Sequence, residues 1–127
     1  MDQIATIYIA QQSGNTFELR LLDPSAHAEE LYFCTHSVPE ENVKLWAFLP
    51  VGPFESLISF RSWLASLTQT SSSAHFCVFE KATNKPVGIV SLIDFDKSHL
   101  TIEITNLLLC RRAQKAGASY ETAMLLL

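Results

Sequence analysis

Alternating hydrophobic and polar positions mark the beginning of the chain as β-structure. Residues 6–10 and 16–22 are rich in Ile, Tyr, Phe, Leu and Thr, which fit a half-buried pleated surface. Between them, residues 13–15 read Ser-Gly-Asn, a sequence that favours a tight turn. The pattern therefore predicts a β-hairpin near the N-terminus.

The spacing of apolar residues becomes helical after the second of these strands. Asp23 can accept hydrogen bonds from the first free N–H groups of a helix, and Pro24 suits the first helical position. Ala28 and Leu31 follow at helical spacing and share one face. We expect this helix to end near residues 37–39.

A second helix is predicted after a segment that contains proline and glycine. Pro50, Gly52 and Pro53 interrupt the apolar run of residues 44–49, and Ser56 can cap the helix that follows. The aromatic side chains of this region either belong to the core or line a substrate groove, and we favour the core. They are Trp46, Phe48, Phe54 and Trp63.

Three more strands follow in close succession. Residues 82–85 connect strands at 74–79 and 86–93, and residues 94–99 connect the second of these to a strand at 100–109. A parallel pair needs a crossover of about a dozen residues, so connections this short require antiparallel neighbours. The order of elements predicts an α+β fold, with helices packed on a mostly antiparallel sheet.

The last strand leads into a segment of small residues. Residues 110–119 are typical of a turn that enters a helix, where free N–H groups attract anions. Residues 120–127 continue the helix to the last residue without a Gly, Asn or Lys to end it. We therefore interpret residues 1–127 as a single, partial domain of a longer fold.

Charge and composition exclude several classes of protein. The chain is 48% hydrophobic and 17% charged, so it is globular, and its 9 basic and 13 acidic residues give a net charge of −4. No basic patch is large enough for nucleic acid. The densest basic cluster, Arg111, Arg112 and Lys115, suits one anionic ligand.

Cysteine spacing and hydropathy set the expected environment. Cys34, Cys77 and Cys110 are far apart, so we expect neither a disulfide framework nor a metal site. The first residues lack the basic segment of a signal peptide, and no apolar run approaches the ~20 residues of a membrane helix. We expect a cytoplasmic protein with no membrane partner.

Four segments, in their order and spacing, resemble the GNAT superfamily of acyl-CoA-dependent N-acetyltransferases, in particular the ribosomal-protein and peptide N-terminal acetyltransferases. They are residues 17–24, residues 46–54 with 60–64, residues 85–92, and residues 101–104 with 114–123. Gln114, Gly117 and Ser119 fit the pyrophosphate motif Q/R-x-x-G-x-G/A, with Ser in the last small position.

The resemblance implies acetyl-CoA as acyl donor and an amine, either a peptide N-terminus or a small molecule, as acceptor. It implies that Glu103 is the general base, the alternative being an ordinary solvent-facing or ion-paired strand carboxylate. It assigns contacts with acetyl-CoA to the strand end and the loop, namely Leu107, Leu108, Leu109, Arg112, Gln114, Lys115, Ala116, Gly117, Ala118 and Ser119.

The chain also departs from the family pattern. Thr105 stands where relatives have Gly, and residues 107–111 replace the usual aromatic and proline residues. The strands and helix that close the complete fold have no counterpart. An inactive fragment that acts as an interaction module, self-associating through residues 100–109, is therefore the alternative. A nucleotide-binding module of another fold is a third, weaker one.

Overall fold

The structure is a computed structural model, and it describes residues 11–13, 16–47, 49, 51–69, 73–96, 101–115, 117 and 122. Its elements in chain order are β1 Gln11–Ser13, β2 Phe17–Leu21, α1 Pro24–His36, α2 Pro39–Trp46, α3 Leu57–Leu67, β3 Ala74–Glu80, β4 Lys85–Asp96, β5 Thr101–Leu109 and α4 Arg111–Lys115.

The strands form one sheet in the order β1-β2-β3-β4-β5, and every neighbouring pair in it is antiparallel. For β1 with β2, β3 with β4 and β4 with β5 the short connections are the reason, because each allows the chain only to turn back on itself. The predicted meander of β3, β4 and β5 and the α+β class are both confirmed.

The bounds of two predicted turns are wrong. Ser13, expected in a turn, is the last residue of β1 and pairs with Glu18. Asp94 was expected to begin a turn, but β4 continues to Asp96, which pairs with Thr101 of β5. Pairing with a neighbouring strand outweighs the local preference of Ser and Asp for turns at both places. The predicted strand at residues 6–10 lies outside the described residues.

The predicted helix start at Asp23 is confirmed in atomic detail. The Asp23 carboxylate accepts hydrogen bonds from the N–H groups of Ser25 and Ala26, at 3.1 and 3.4 Å. Pro24 occupies the first turn, where its missing N–H costs nothing. Ser56 likewise caps α3, and its hydroxyl and that of Ser59 form a reciprocal capping box.

Helix α2 was missed by the sequence pattern. The Ser-Val-Pro sequence of residues 37–39 was interpreted only as the end of α1. Pro39 is in fact the first residue of a new helix, where its fixed φ angle is already helical. A proline after a helix can simply end that helix, or it can also begin a second one. The local sequence does not distinguish these two cases.

The sheet is covered on both faces by apolar clusters. One cluster joins α1, α2 and α3 to the sheet, and it contains Leu22, Ala28, Leu31, Trp46, Phe60, Leu64, Cys77, Phe79, Ile89 and Leu108. The other packs α4 on the opposite face, and it contains Phe17, Leu19, Ala74, Phe76, Val78, Val87, Val90, Leu92, Leu109, Cys110 and Ala113. Strands β3 and β4 thus lie in the middle of a three-layer structure.

His36 anchors the segment between α2 and α3. Its Nε2 accepts a hydrogen bond from the Phe54 N–H at 2.9 Å, while its Nδ1 lies 3.2 Å from the carbonyl oxygen of Tyr32. The Tyr32 hydroxyl donates to the Phe54 carbonyl at 3.2 Å. Two side chains of α1 therefore bind both the backbone N–H and the backbone carbonyl of Phe54. Trp46 and Phe60 pack around the imidazole, which confirms the interpretation of Trp46 as core.

We expect protonation of His36 to weaken the fold. Burial lowers the pKa of His36 from its usual 6.5, against the smaller opposing effect of the Tyr32 carbonyl. The unfolded chain therefore binds this proton at a higher pH than the folded chain. The stability contributed by neutral His36 is present above about pH 6.5 and is lost as the pH falls below that value.

The measurement is urea unfolding of the wild type and of His36→Gln at about pH 7.5 and about pH 5.5. Glutamine can still accept from the Phe54 N–H but does not titrate. The stability gap between the two proteins should shrink or reverse at the lower pH. A gap that does not change with pH would contradict the role of His36.

Candidate functional site

The pairing of β4 with β5 is interrupted near the middle of β5. Ile89 pairs with Leu108 and Ser91 with Thr105, so one residue of β4 faces two residues of β5. Asn106, one of these two, has a φ angle of 50°. This is a β-bulge, a feature that redirects backbone groups and occurs often beside active sites.

Gly88 allows the two strands to approach closely beyond the bulge. A Cβ atom on Gly88 would lie 2.2 Å from the carbonyl oxygen of Leu108 and 2.6 Å from the Leu109 side chain. The carbonyl belongs to the backbone and cannot move aside easily. Because Gly88 has no side chain, the end of β5 can lie directly against β4.

The end of β5 is joined rigidly to α4. The Cys110 N–H donates to the Val87 carbonyl at 2.9 Å, which continues the pairing with β4 by one residue. The Gln114 side-chain amide then donates back to the Leu109 carbonyl at 2.8 Å. The backbone N–H of Gln114 donates to the Cys110 carbonyl at 3.0 Å. These hydrogen bonds tie the end of the strand to the short helix.

A turn follows α4 at Gly117. Its N–H donates to the Gln114 carbonyl at 3.1 Å, and its φ angle is 84°, a conformation that glycine adopts at little cost. Apart from its two chain neighbours, no described residue has an atom within 4 Å of the position a Cβ would take, so the described residues leave the space beside Gly117 open.

The structure brings part of the predicted site together. Leu108 and Leu109 are buried at the strand end, whereas the side chain of Leu107 is 41% exposed. Glu103 pairs with Ile93, two residues along the strands from the Ser91–Thr105 pair. Arg112 and Lys115 belong to α4. Ala116, Ala118 and Ser119 lie outside the described residues.

Two of the predicted anion-binding N–H groups already have acceptors within the chain. The amides of Gln114 and Gly117 bond to carbonyl oxygens of the preceding turn. An anion bound to the segment in this conformation would therefore contact the segment's other backbone N–H groups or its cationic side chains.

A cavity of about 230 Å³ lies beside the same joint. It is lined by Glu30, Phe33, Cys34 and Ser37 of α1 together with Lys85, Pro86, Cys110 and Arg111. Two cationic side chains, Lys85 and Arg111, therefore stand at one opening near the end of β5.

Within the described residues no group of three or more His, Cys, Asp or Glu side chains is arranged to hold a metal ion. No helix in the described part of the chain is long and apolar enough to cross a bilayer.

No protein-family model and no curated protein matches this sequence. Solved structures do match. A GCN5-related N-acetyltransferase from Brucella melitensis superposes with a TM-score of 0.77 over 91% of this chain and 53% of its own, at 21% identity. A GNAT-family protein from Chromobacterium violaceum, assigned as an acetyltransferase, has a TM-score of 0.76 over 92% of this chain and 60% of its own, at 26% identity.

The chain has the GNAT fold. A Vibrio cholerae protein assigned as a ribosomal-protein-serine acetyltransferase agrees with this, with a TM-score of 0.72 over 91% of this chain and 63% of its own, at 21% identity. The fold implied by the sequence resemblance is thereby confirmed. The chain spans between 53% and 63% of the length of these three GNAT structures.

Sequence reasoning missed how the GNAT strand β5 is held at its bulge. Asn106 lies where the regular pairing of β4 with β5 is interrupted. Its positive φ angle breaks the pairing, and its side-chain amide lies 3.4 Å from the Ser91 hydroxyl. The signal available was the residue type, because Asn tolerates a positive φ angle better than most residues.

Proposed function

We propose that this chain binds acetyl-CoA and takes part in the transfer of its acetyl group to an amine, either a peptide N-terminus or a small molecule. The observation that carries the proposal is the β5 bulge followed by the rigid joint to α4 and the open turn at Gly117, placed within a GNAT fold. The end of β5 would offer backbone groups for hydrogen bonds, α4 would offer cationic side chains, and the turn at Gly117 would offer space. The three follow one another along the chain.

The segment fits a long ligand with an anionic end. The backbone of Leu107, Leu108 and Leu109 would hydrogen-bond the pantetheine arm. Arg112, Gln114, Lys115 and the segment from Ala116 to Ser119 would hold the pyrophosphate, with Gly117 admitting it to the backbone.

Bound acetyl-CoA would supply a thioester. The amine nitrogen would form a bond to its carbonyl carbon, the carbon–sulfur bond would break, and the leaving thiolate would in the end take up the proton that the amine loses. Glu103 would accept the proton that the amine gives up. Backbone N–H groups near the bulge would stabilise the negative charge that develops on the carbonyl oxygen. The cytoplasm, where acetyl-CoA and free amines meet, is the location we propose.

Acetyl-CoA should raise the melting temperature of the chain, and ATP should not match it. A ligand at ~100 times its Kd stabilises by ~2.7 kcal/mol, which corresponds to several degrees for a domain of this size. Gly117→Asp should abolish the shift, because it places a carboxylate in the space proposed for the pyrophosphate.

The matched control is Gln69→Asp, which adds the same charge at the exposed end of α3. It should leave the shift unchanged. An equal response to ATP would support the nucleotide-binding alternative, and no response from folded protein would remove the acetyl-CoA proposal.

Glu103→Gln should slow acetyl transfer by about 100-fold and leave acetyl-CoA binding unchanged, because a neutral amide cannot take the proton of the amine. The rate is followed as release of the CoA thiol, with a peptide bearing a free N-terminus and a polyamine as acceptors. Glu29→Gln removes an exposed carboxylate of α1 that does not line the cavity beside β5, and it is the control. Equal rates for the wild type and Glu103→Gln would exclude Glu103 as the base.

The second candidate function is an interaction module. In the described part of the chain β5 is the outermost strand and pairs only with β4, while Ile104 and Leu107 are each 41% exposed. An apolar strand at the edge of a sheet is a template for pairing with another chain.

On this second proposal the chain dimerises through β5. Sedimentation velocity over a range of concentrations should then show a dimer that Ile104→Lys dissociates, since a charge at the edge opposes pairing. Ile58→Lys changes another exposed isoleucine, on α3, and should leave the dimer intact. A wild-type monomer at every concentration would contradict this candidate.

A further inference from the structure

A chain of polar side chains crosses three strands of the sheet and ends at the β5 bulge. The Ser73 hydroxyl lies 2.8 Å from Nε2 of His75, and Nδ1 of His75 lies 2.5 Å from the Ser91 hydroxyl. The Asn106 side-chain amide donates to the same Ser91 hydroxyl over a longer distance, 3.4 Å. We name these four residues the polar relay.

The relay lies in the interior of the protein. Ser73, His75 and Ser91 are 3%, 8% and 1% exposed. A buried hydroxyl or imidazole costs free energy unless it is hydrogen-bonded, and the relay supplies such a bond to each of these three groups. Neighbouring buried positions, such as Cys77 and Ile89, carry apolar side chains. Apolar side chains at the relay positions would also pack the sheet, and they would not need hydrogen-bond partners.

The available partners fix the direction of the hydrogen bonds. Asn106 donates to Ser91, so the Ser91 oxygen acts as acceptor there. The Ser91 proton finds an acceptor among the described side chains only if it points to Nδ1 of His75. His75 is then neutral, with its proton on Nε2 directed to Ser73. The donation runs from Asn106 through Ser91 and His75 to Ser73.

Asn106 is the only member of the relay in a strained conformation. With a φ angle of 50°, it occupies the left-handed region that most residues avoid. A residue in this region persists only when its surroundings hold it there. The Ser91 hydroxyl is the side-chain partner the structure gives Asn106, and it lies on β4, directly across from the bulge.

We propose that the polar relay is a positioning device that holds the β5 bulge in place for acetyl transfer. His75 and Ser91 are positioning residues in this assignment: they act through Asn106 on the backbone that faces the acyl group. The assignment rests on the proposed acetyltransferase function. What it adds is a role for two buried residues outside β5: His75 on β3 and Ser91 on β4 would set the geometry of the β5 bulge through their hydrogen bonds.

The test uses Ser91→Ala, which removes the acceptor of Asn106, and Asn106→Gly, which keeps the positive φ angle but removes the amide. Both should lower kcat about 10-fold or more, because a small displacement of the reacting groups is costly. The Kd for acetyl-CoA and the KM for the amine should stay within about twofold of the wild type. Ser91→Thr keeps the hydroxyl and should restore kcat.

Two further readouts separate positioning from simple stability. Cys77→Ala also alters a buried side chain of β3, outside the relay, and should lower the melting temperature without changing kcat. Nitrogen NMR of the imidazole should show His75 with Nδ1 unprotonated in the wild type, and this signal should change in Ser91→Ala. All rates are taken well below the lowest melting temperature.

The outcomes are distinct. If the wild type transfers acetyl groups and Ser91→Ala and Asn106→Gly keep the wild-type kcat, the relay proposal fails alone. It also fails if kcat falls with melting temperature equally in Cys77→Ala, or if the His75 proton is on Nδ1. If the wild type neither binds acetyl-CoA nor transfers acetyl groups, the proposed function fails and the relay assignment fails with it.

Discussion

The pairing of β4 with β5 is the interaction on which the rest of this structure depends. β4 also pairs with β3 and carries side chains of both apolar clusters, so its position is fixed from four sides. β5 takes its position from β4 through the close approach at Gly88. The joint to α4 and the turn at Gly117 then follow from the end of β5 through the Gln114 hydrogen bonds. Among the described residues, the candidate site is therefore placed mainly by backbone pairing, and the Gln114 side chain ties the end of β5 to α4.

The helical layer contributes a second constraint, on the segment that precedes α3. Gly52 faces the Trp46 ring so closely that a Cβ would lie 2.3 Å from a ring carbon, and its φ angle is 83°. Two residues later, His36 and Tyr32 hold the Phe54 peptide by its N–H and its carbonyl. The apolar side chains around His36 favour its neutral form, which can accept from the Phe54 N–H. Ser73, His75 and Ser91 of the polar relay are buried as well, and a buried hydrogen bond is electrostatically stronger than one in water.

Local sequence signals predicted much of the fold because each had a short-range physical cause. The caps at Asp23 and Ser56 and the antiparallel order of β3, β4 and β5 follow from neighbouring residues and from connection length. The errors at Ser13, at Pro39 and at Asp94 arose where contacts with distant residues, or an ambiguous proline, decided the conformation. The bulge at Asn106 belongs to the same class, since it depends on the register between two strands. No single-strand pattern contains that register, so the sequence could suggest which residues form the site but not how they are held.

The two candidate functions draw on the same backbone groups. The pantetheine arm, as proposed, hydrogen-bonds residues 107–109 of β5, and a second copy of the chain would pair with that same strand. One set of N–H and carbonyl groups cannot serve both partners at once, so each occupant must weaken the binding of the other by an equal factor. The bulge at Asn106 makes the competition unequal. A bulge interrupts the regular spacing that a pairing strand needs, and it therefore discourages association along the edge. A flexible, extended ligand that needs only a few hydrogen bonds is affected much less. The same distortion that redirects the backbone of β5 thus favours a small-molecule ligand over a second strand, and this is the physical reason to place acetyl transfer ahead of self-association.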